Sequence, residues 1–441
     1  MLYNFASRGI EQSHGAIGRL LEVEMRKTVL ETLAILAALV MTVGAWASGT
    51  LIEEQGARAS SEAGAFVARA DDPSAIFYNP AGLAFQTTSL MTGFTAIRET
   101  MEWNSPYGPS SRGPRKYFLP LHAYFVYKPD LPVTFGVGAY APHALATEWS
   151  GVWPGAKIAQ RTIQRAAYIT PSVAFKLNDK WALGINLNYV YSTLYMRQSI
   201  MFPAIPYSTP PLTRTLEPGI ARLTGSGHGW GGGLGILGKL NDHWQVGFNY
   251  RSQVSVDYTG SIDFFRIPTH PDFRPFFPEG GVKTTIKLPA AYNLGVAYIG
   301  NTWTFEGDVT VVDWTCFDTL SIDFQNEGGK IHDLDNPANW QSAAKYKLGM
   351  EYKFSDYLKL GAGIYYDESA VPDRYASPIL PDSNRWSAQT GLTFSCGTWT
   401  VSAFVMGIHF DKKVVPEDAV YVPGTYDASA WLGGISVSYK F

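Results

Sequence analysis

The chain has 441 residues, a formal net charge of −3 and 46% hydrophobic residues. That length allows two or three soluble domains or one large barrel, and the near-neutral charge argues against nucleic acid as a partner. Two cysteines, Cys316 and Cys396, are too few for a disulfide framework. A single bridge between them stays open, but two buried thiols are the expectation. With 25 Tyr, 24 Phe and 13 Trp the chain is aromatic-rich, as a membrane barrel with interfacial girdles is.

Residues 1–24 read as an upstream extension, with translation expected to start at Met25. Met25-Arg26-Lys27 opens a basic region, and Leu33–Val43 is an apolar run of signal-peptide length. Ala45-Trp46-Ala47 offers a small-x-small cleavage pattern, so residues 25–47 read as a signal peptide and the mature chain begins near Ser48. The run is too short for a comfortable transmembrane helix.

Residues 48–87 do not alternate like strands. Asp71-Asp72-Pro73 and Asn79-Pro80-Ala81-Gly82 are turn signals, because Asp and Asn bond back to local backbone and Pro fixes φ. A compact segment ahead of a barrel suits a plug in its lumen; a flexible periplasmic tail is the competing reading.

From residue 88 to 441, segments of about ten residues alternate with period two between Gly, Pro, Asn and Asp. Lys180–Tyr191 sets Trp181, Leu183, Ile185, Leu187, Tyr189 and Tyr191 against Asn186 and Asn188. Lys345–Phe354 sets Tyr346, Leu348, Met350 and Tyr352 against Lys345, Lys347 and Glu351. In His243–Tyr258, the series from Trp244 to Tyr250 and from Val254 to Tyr258 is expected on one face. Tight turns such as Leu177–Lys180 contrast with long connections such as Met201–Gly219 and Phe265–Val282. Short turns at one end and long loops at the other are the asymmetry of an outer-membrane barrel. A soluble sandwich would also alternate, but the signal segment, the loop asymmetry and the closing strand Trp431–Phe441 favour the barrel. The expectation is an all-β fold, a transmembrane antiparallel β-barrel of about 14 strands.

Catalytic chemistry is not expected. Gly233–Leu240 nearly matches a phosphate-binding loop, but Leu240 stands where Ser or Thr should hold Mg²⁺ and the stretch alternates as a strand. The eight histidines show no metal-ligand spacing, no nucleophile–base arrangement stands out, and no cofactor is implied. Asp308, Glu351 and Asp367 are expected as solvated pore lining.

Four stretches resemble the FadL-type outer-membrane transporters of long-chain fatty acids and aromatic hydrocarbons. They are Ala70-Asp71-Asp72 with Asn79-Pro80-Ala81; Ala144–Trp149; Asp313–Leu320; and Tyr365–Asp373 with Pro378, Pro381-Asp382 and Arg385. The resemblance implies a fourteen-stranded barrel with an N-terminal hatch and a lumenal hydrophobic site, in the outer membrane of a Gram-negative bacterium. It implies hydrophobic small molecules as ligands, membrane lipid and lipopolysaccharide as surroundings, and a monomer. A general diffusion porin and a surface structural or adhesive barrel are the alternatives. Ligand contacts are expected from Phe77, Phe202, Phe317 and Arg197, the last as a carboxylate partner. Gating is expected from Asp71, Asp72, Asn79, Pro80 and Ala81. Fatty-acid carriers of the family tend to place a basic residue after the ninth-strand Phe-x-x-Leu; here Ser321 follows Leu320, which leaves an uncharged hydrocarbon open. Apolar loops, Met201–Tyr207 and Phe273–Phe277, suit capture. Pro132–Tyr140 alternates as a third strand until Ala141-Pro142-His143 interrupts it. Pro142 cannot donate to a neighbour, and the family has an inward kink here, read as a lateral opening. A portal at Ala141, Pro142 and His143 is therefore expected.

Overall fold

A computed structural model describes residues 49–151, 153–200, 218–267, 276–277, 279–325 and 333–441. The expected signal segment, Phe202 and most of the two apolar loops lie outside these residues. The fourteen strands, several in two pieces, are β1 (Ser89–Asn104), β2 (Lys116–Phe118 and Leu121–Tyr127), β3 (Val133–Glu148), β4 (Arg161–Lys176), β5 (Trp181–Ile200), β6 (Gly219–Lys239) and β7 (Trp244–Arg251 and Val254–Phe265). They continue as β8 (Gly280–Leu288 and Ala290–Ile299), β9 (Trp303–Asp313 and Thr319–Phe324), β10 (Ala343–Lys353), β11 (Leu358–Asp367), β12 (Arg385–Cys396), β13 (Trp399–Phe410) and β14 (Gly424–Lys440). Each pairs antiparallel with the next, and β1 pairs with β14 from Ser89↔Lys440 to Asn104↔Thr425. The sheet thus closes on itself, so neither terminal strand is left as an open edge.

The short turns follow from Asn and Ser chemistry. The Asn178 Oδ1 accepts from the N–H groups of Lys180 and Trp181, each at 2.8 Å, and Asn241 does the same for His243 and Trp244 at 2.9 Å. Between the ends runs an outward apolar band that includes Leu187, Leu294, Leu348 and Ile435. Aromatic pairs border it. Trp244–Tyr298 and Trp399–Tyr439 lie at the short-turn end, while Tyr189–Trp230 and Tyr250–Tyr292 lie toward the loops. These are the two interfacial girdles, and the asymmetry of short turns and long connections puts the long loops on the extracellular side.

One expectation of shared facing fails. Trp244, Val246, Phe248 and Tyr250 point outward, but Val254, Val256 and Tyr258 are buried and point inward. Gly233 pairs with Arg251 and His228 with Asp257, so one extra residue separates the halves of β7. Because side chains alternate with period two, one added residue turns every later side chain to the other face. Across from it, β8 switches faces at Pro289. Both cysteines are free thiols and neither is buried as expected: Cys316 is partly exposed, and Cys396, at the tight turn into β13, is exposed.

Residues 49–87 lie inside the lumen. Phe66, Ile76, Phe77, Ala81 and Leu83 pack with Tyr124, Tyr140, Val190 and Leu237 of the wall in one buried cluster. The hatch backbone touches the wall where the wall has no side chain. A Cβ on Gly184 would sit 2.3 Å from the Ala81 nitrogen, and one on Gly349 2.5 Å from the Glu62 carbonyl oxygen.

Candidate functional site

The hatch is tied down by polar groups as well as by packing. Asn79 caps the short helix Pro80–Phe85: its Oδ1 accepts from the Ala81 N–H at 3.2 Å. Its Nδ2 donates to Val67 at 2.8 Å and to the Ile236 carbonyl of β6 at 3.0 Å. Asp72 accepts from the Ser74 N–H at 2.9 Å, the local turn its sequence forecasts. Asp71 is exposed and pairs with Arg58 at 2.7 Å, beside a periplasmic cavity of about 390 Å³ also bordered by Lys239 and Lys359.

Two charged clusters join hatch to wall. Glu53 lies between Lys345 and Lys347 of β10, at 2.8 and 2.9 Å. Burial works to raise the Glu53 pKa, but the two ammonium groups outweigh it and hold the carboxyl well below the usual range. Arg58 meets Glu351 at 2.7 Å. The Asp308 carboxylate accepts from the N–H groups of Phe66 and Val67 at 2.9 and 3.2 Å, and Glu306 from Ala68 at 2.6 Å. Asp308 and Glu351, expected as solvated lining, are instead buried anchors of the hatch. Asp367, also buried, holds Arg385 at 2.9 Å, and Arg385 reaches Asp382 at 3.0 Å. That ion cluster fixes the inward-folded loop 368–384, whose Pro378 carbonyl accepts from the Trp149 indole at 2.9 Å.

Above the hatch are two apolar cavities that share Met196 and Ile379. The inner one, about 60 Å³, is lined by Leu145, Leu194, Leu288, Trp314, Phe317 and Trp340, with Thr50 of the hatch beside them. Among the described residues no charged side chain lines it. Trp340 meets Trp314 and Phe317 edge-on, with centroids 4.7 and 4.8 Å apart. The outer cavity, about 240 Å³, is lined by Leu223, Ile262, Ile322 and Phe324, with exposed Lys157 at its border.

Of the expected ligand contacts, Phe317 alone lines these cavities among the described residues. Phe77 is buried in the hatch, under the Arg251 guanidinium at 4.2 Å from its centroid. Arg197 does not enter the lumen. On β5 the buried inward residues are Ser192, Leu194 and Met196, and Arg197 alternates with them onto the outer face. This placement contradicts its expected role as a lumenal carboxylate partner. Sequence reasoning missed Trp314, Trp340 and Lys157. The first of these sits in Asp313–Leu320, so the motif was in view and its aromatic residue was passed over.

The third strand does not end at Pro142. It runs to Glu148, with a bulge in which Ala141 and Pro142 stand opposite the single Ala167. Residues 138–145 are buried on both faces, which marks an inward displacement of the strand. Thr50–Ile52 of the hatch runs beside the bulge: Ile52 donates to the Pro142 carbonyl at 2.7 Å and Ala144 to Thr50 at 3.0 Å. His122↔Tyr140 is the last pair between β2 and β3. Beyond it the upper part of β2 stays on β1, and β3 stays on β4. The wall is thus split by a small cleft lined by Met101, Phe118, Ala146 and Ile163. The Lys116–Glu148 ion pair bridges it.

A closed barrel with two girdles, a hatch bonded into its lumen and apolar cavities above the hatch define an outer-membrane transport protein rather than an open pore. Residues 38–441 match the family described as outer membrane protein transport protein (OMPP1/FadL/TodX). The chain belongs to that family. It is 24% identical over 446 residues to the long-chain fatty acid transport protein of Escherichia coli K12, covering 93% of this chain and 98% of that protein. The Salmonella typhi protein of the same description is 23% identical, with the same coverage. Among solved structures, a Pseudomonas aeruginosa FadL homologue superposes with a TM-score of 0.77 at 17% identity, covering 89% of this chain and all of that one. The Pseudomonas putida toluene transporter TodX gives 0.67 at 17% identity, over 88% and 99% of the two chains.

Proposed function

We propose that this protein carries hydrophobic small molecules across the outer membrane, from extracellular loops through the two apolar cavities, past the hatch, and out sideways between β2 and β3. The observation that carries the reading is the uncharged, Trp- and Phe-lined inner cavity directly above Thr50, the hatch residue bonded to the strand that borders the cleft. Burying apolar ligand there is worth about 25 cal/mol per Å². The relatives transport long-chain fatty acids, and one structural neighbour toluene; both are apolar bodies that a water-filled pore does not help. Lys157 gives the outer cavity a cation for a carboxylate, while the inner cavity has none, so an acid headgroup stays at the outer site and an uncharged hydrocarbon goes deeper. A sheet closed by β1 on β14 needs no partner copy to complete it, and we take it to act as a monomer among lipopolysaccharide.

Mass spectrometry of apolar molecules that co-purify with the barrel, together with uptake of labelled fatty acid and hydrocarbon by cells carrying or lacking it, tests this reading. Bound hydrophobic ligand and barrel-dependent uptake are expected. A large steady current in planar bilayers with no bound ligand would identify a diffusion porin. Wild-type uptake in the deletion strain, with surface attachment impaired, would identify an adhesive barrel.

A further inference from the structure

The outer face of the barrel carries a row of arginines, of which Arg161 borders the cleft between β2 and β3 and the others lie away from it. Arg161 of β4 stands directly opposite Arg197 of β5, and Arg197 directly opposite Arg222 of β6. Like charges at directly opposite positions repel. Carboxylates relieve only the two ends of the row. Glu148, opposite Arg161, approaches it at 3.2 Å, and Asp263, opposite Arg222, meets it at 2.7 Å. Arg197, in the centre, has no acidic partner among the described residues. Neither has Arg165, two periods of the alternation below Arg161 on the same face. Both have a buried Nε with no hydrogen-bond acceptor. Aromatic residues hold the flanking guanidinium groups in place: Arg161 lies over Tyr195 at 5.5 Å and Arg222 over Phe265 at 4.6 Å.

The height of this cluster says what it faces. Tyr189 pairs with Trp230 in the outer girdle, and Arg197 lies eight residues farther along β5. At about 3.3 Å per residue on a strand tilted by about 40°, that places Arg197 roughly 20 Å beyond the girdle. Arg165, opposite Thr193, lies roughly 10 Å beyond it. A phospholipid headgroup layer is only about 5–8 Å thick. The saccharide region of lipopolysaccharide, which carries phosphate groups, reaches this height in the outer leaflet. Guanidinium groups bind phosphate oxygens through paired N–H donors.

We propose that Arg165 and Arg197, flanked by Arg161 and Arg222, form a binding site for the phosphate groups of lipopolysaccharide on the outside of β4–β6. The inference rests on the barrel's place in the outer membrane and not on the identity of its transported ligand. It is tested with the purified mature barrel in detergent, titrated with phosphorylated rough lipopolysaccharide and followed by native mass spectrometry. Wild-type protein is expected to retain lipopolysaccharide, and the R165Q/R197Q double variant to bind it at least tenfold more weakly. Enzymatically dephosphorylated lipopolysaccharide should bind wild type as weakly as the intact form binds the variant. Phosphatidylglycerol at equal phosphate should not compete. Equal binding by the folded variant, or by the dephosphorylated form, would overturn the site. Equal competition by phosphatidylglycerol would overturn the lipopolysaccharide assignment in favour of a general anionic-lipid contact. Should the variant not fold, the dephosphorylated and competitor arms on wild type decide alone.

Discussion

The backbone N–H of Ile52 donates to the carbonyl of Pro142 at 2.7 Å, so the end of the hatch is paired with the one bulged strand beside the split in the wall. The bulge and the hatch are thus one structural unit, and a change in either is felt by the other. Pro142 offers its carbonyl but has no N–H, so it cannot complete the ladder on both sides. Pro142→Val restores a donor and should draw β3 toward a regular register, lowering uptake of hydrophobic substrate several-fold while the barrel stays folded and at least as heat-stable. Uptake assays with heat-modifiability gels check this; unchanged uptake in a variant whose wall is closed removes the lateral route.

Lys116 and Glu148 span the cleft between β2 and β3 as a half-exposed ion pair that solvent screens, so its worth to stability is small, about 0–1 kcal/mol. Lys116→Met should leave the melting temperature within a few degrees of wild type and increase the rate of ligand release into detergent micelles or liposomes. A stopped-flow release assay reads this directly. A slower release would mean that the pair guides the ligand rather than holding the cleft shut.

Glu53 faces two buried lysines, and removing one partner of such a cluster leaves uncompensated charge. Glu53→Gln should weaken hatch docking by about 3–5 kcal/mol, seen as protease cleavage within residues 49–87 and a raised leak current with the barrel intact. The pH dependence follows from the depressed pKa. The stabilisation is present in full above the ordinary value of 4.5 and is lost as pH falls through the lower folded value. Leak current in wild type should therefore be flat from pH 8 to 5 with respect to this group and rise only in stronger acid. In the Gln variant it should be high throughout.

Asn79 makes three hydrogen bonds from a fully buried position. Asn79→Ala strips partners from Val67, Ala81 and Ile236, costing about 1–3 kcal/mol, and combining it with Pro80→Ala loosens the turn further. The double variant should give a heat-modifiable barrel with altered uptake or raised leak. Loss of folding alone would make the hatch a structural core without a gating role.

Trp340→Ala empties the centre of the inner cavity and should cost about 3–5 kcal/mol of stability. It should also shift preference toward bulkier ligands. Competition between short and branched or polycyclic hydrocarbons in a binding assay checks the shift. An unchanged ranking would place the ligand elsewhere.

Much of the barrel was legible because lipid enforces alternation along each strand. β5 and β10 present outward the residues their period predicts, and the Asn178 and Asn241 turns announce themselves. The same parity was enough to place Arg197, which shares it with Tyr189 and Tyr191, on the outer face; that signal was available and went unused. The switch of faces in β7 was not legible, since a single extra residue at Ser252-Gln253 alters no composition or spacing that a short window detects. Nor were the hatch anchors. Lys347 and Glu53 are separated by 294 positions, and Asp308 serves backbone N–H groups that carry no sequence signal. In the candidate site, Phe317 was found through its motif, whereas Trp340 belongs to a loop with no recognisable pattern and joins the cavity only through the closure of β9 on β10.

The glycines of the wall that abut the hatch set an order of events in time. At Gly184 and Gly349 the hatch backbone lies where a Cβ would be, and the buried Lys345 and Lys347 both pair with Glu53 of the hatch. A cylinder sealed before the hatch arrived would have to admit it through an end narrowed by folded loops, with charges exposed to the lumen meanwhile. Insertion and plugging are therefore expected to be coupled, with the β1–β14 seam closing around a hatch already seated.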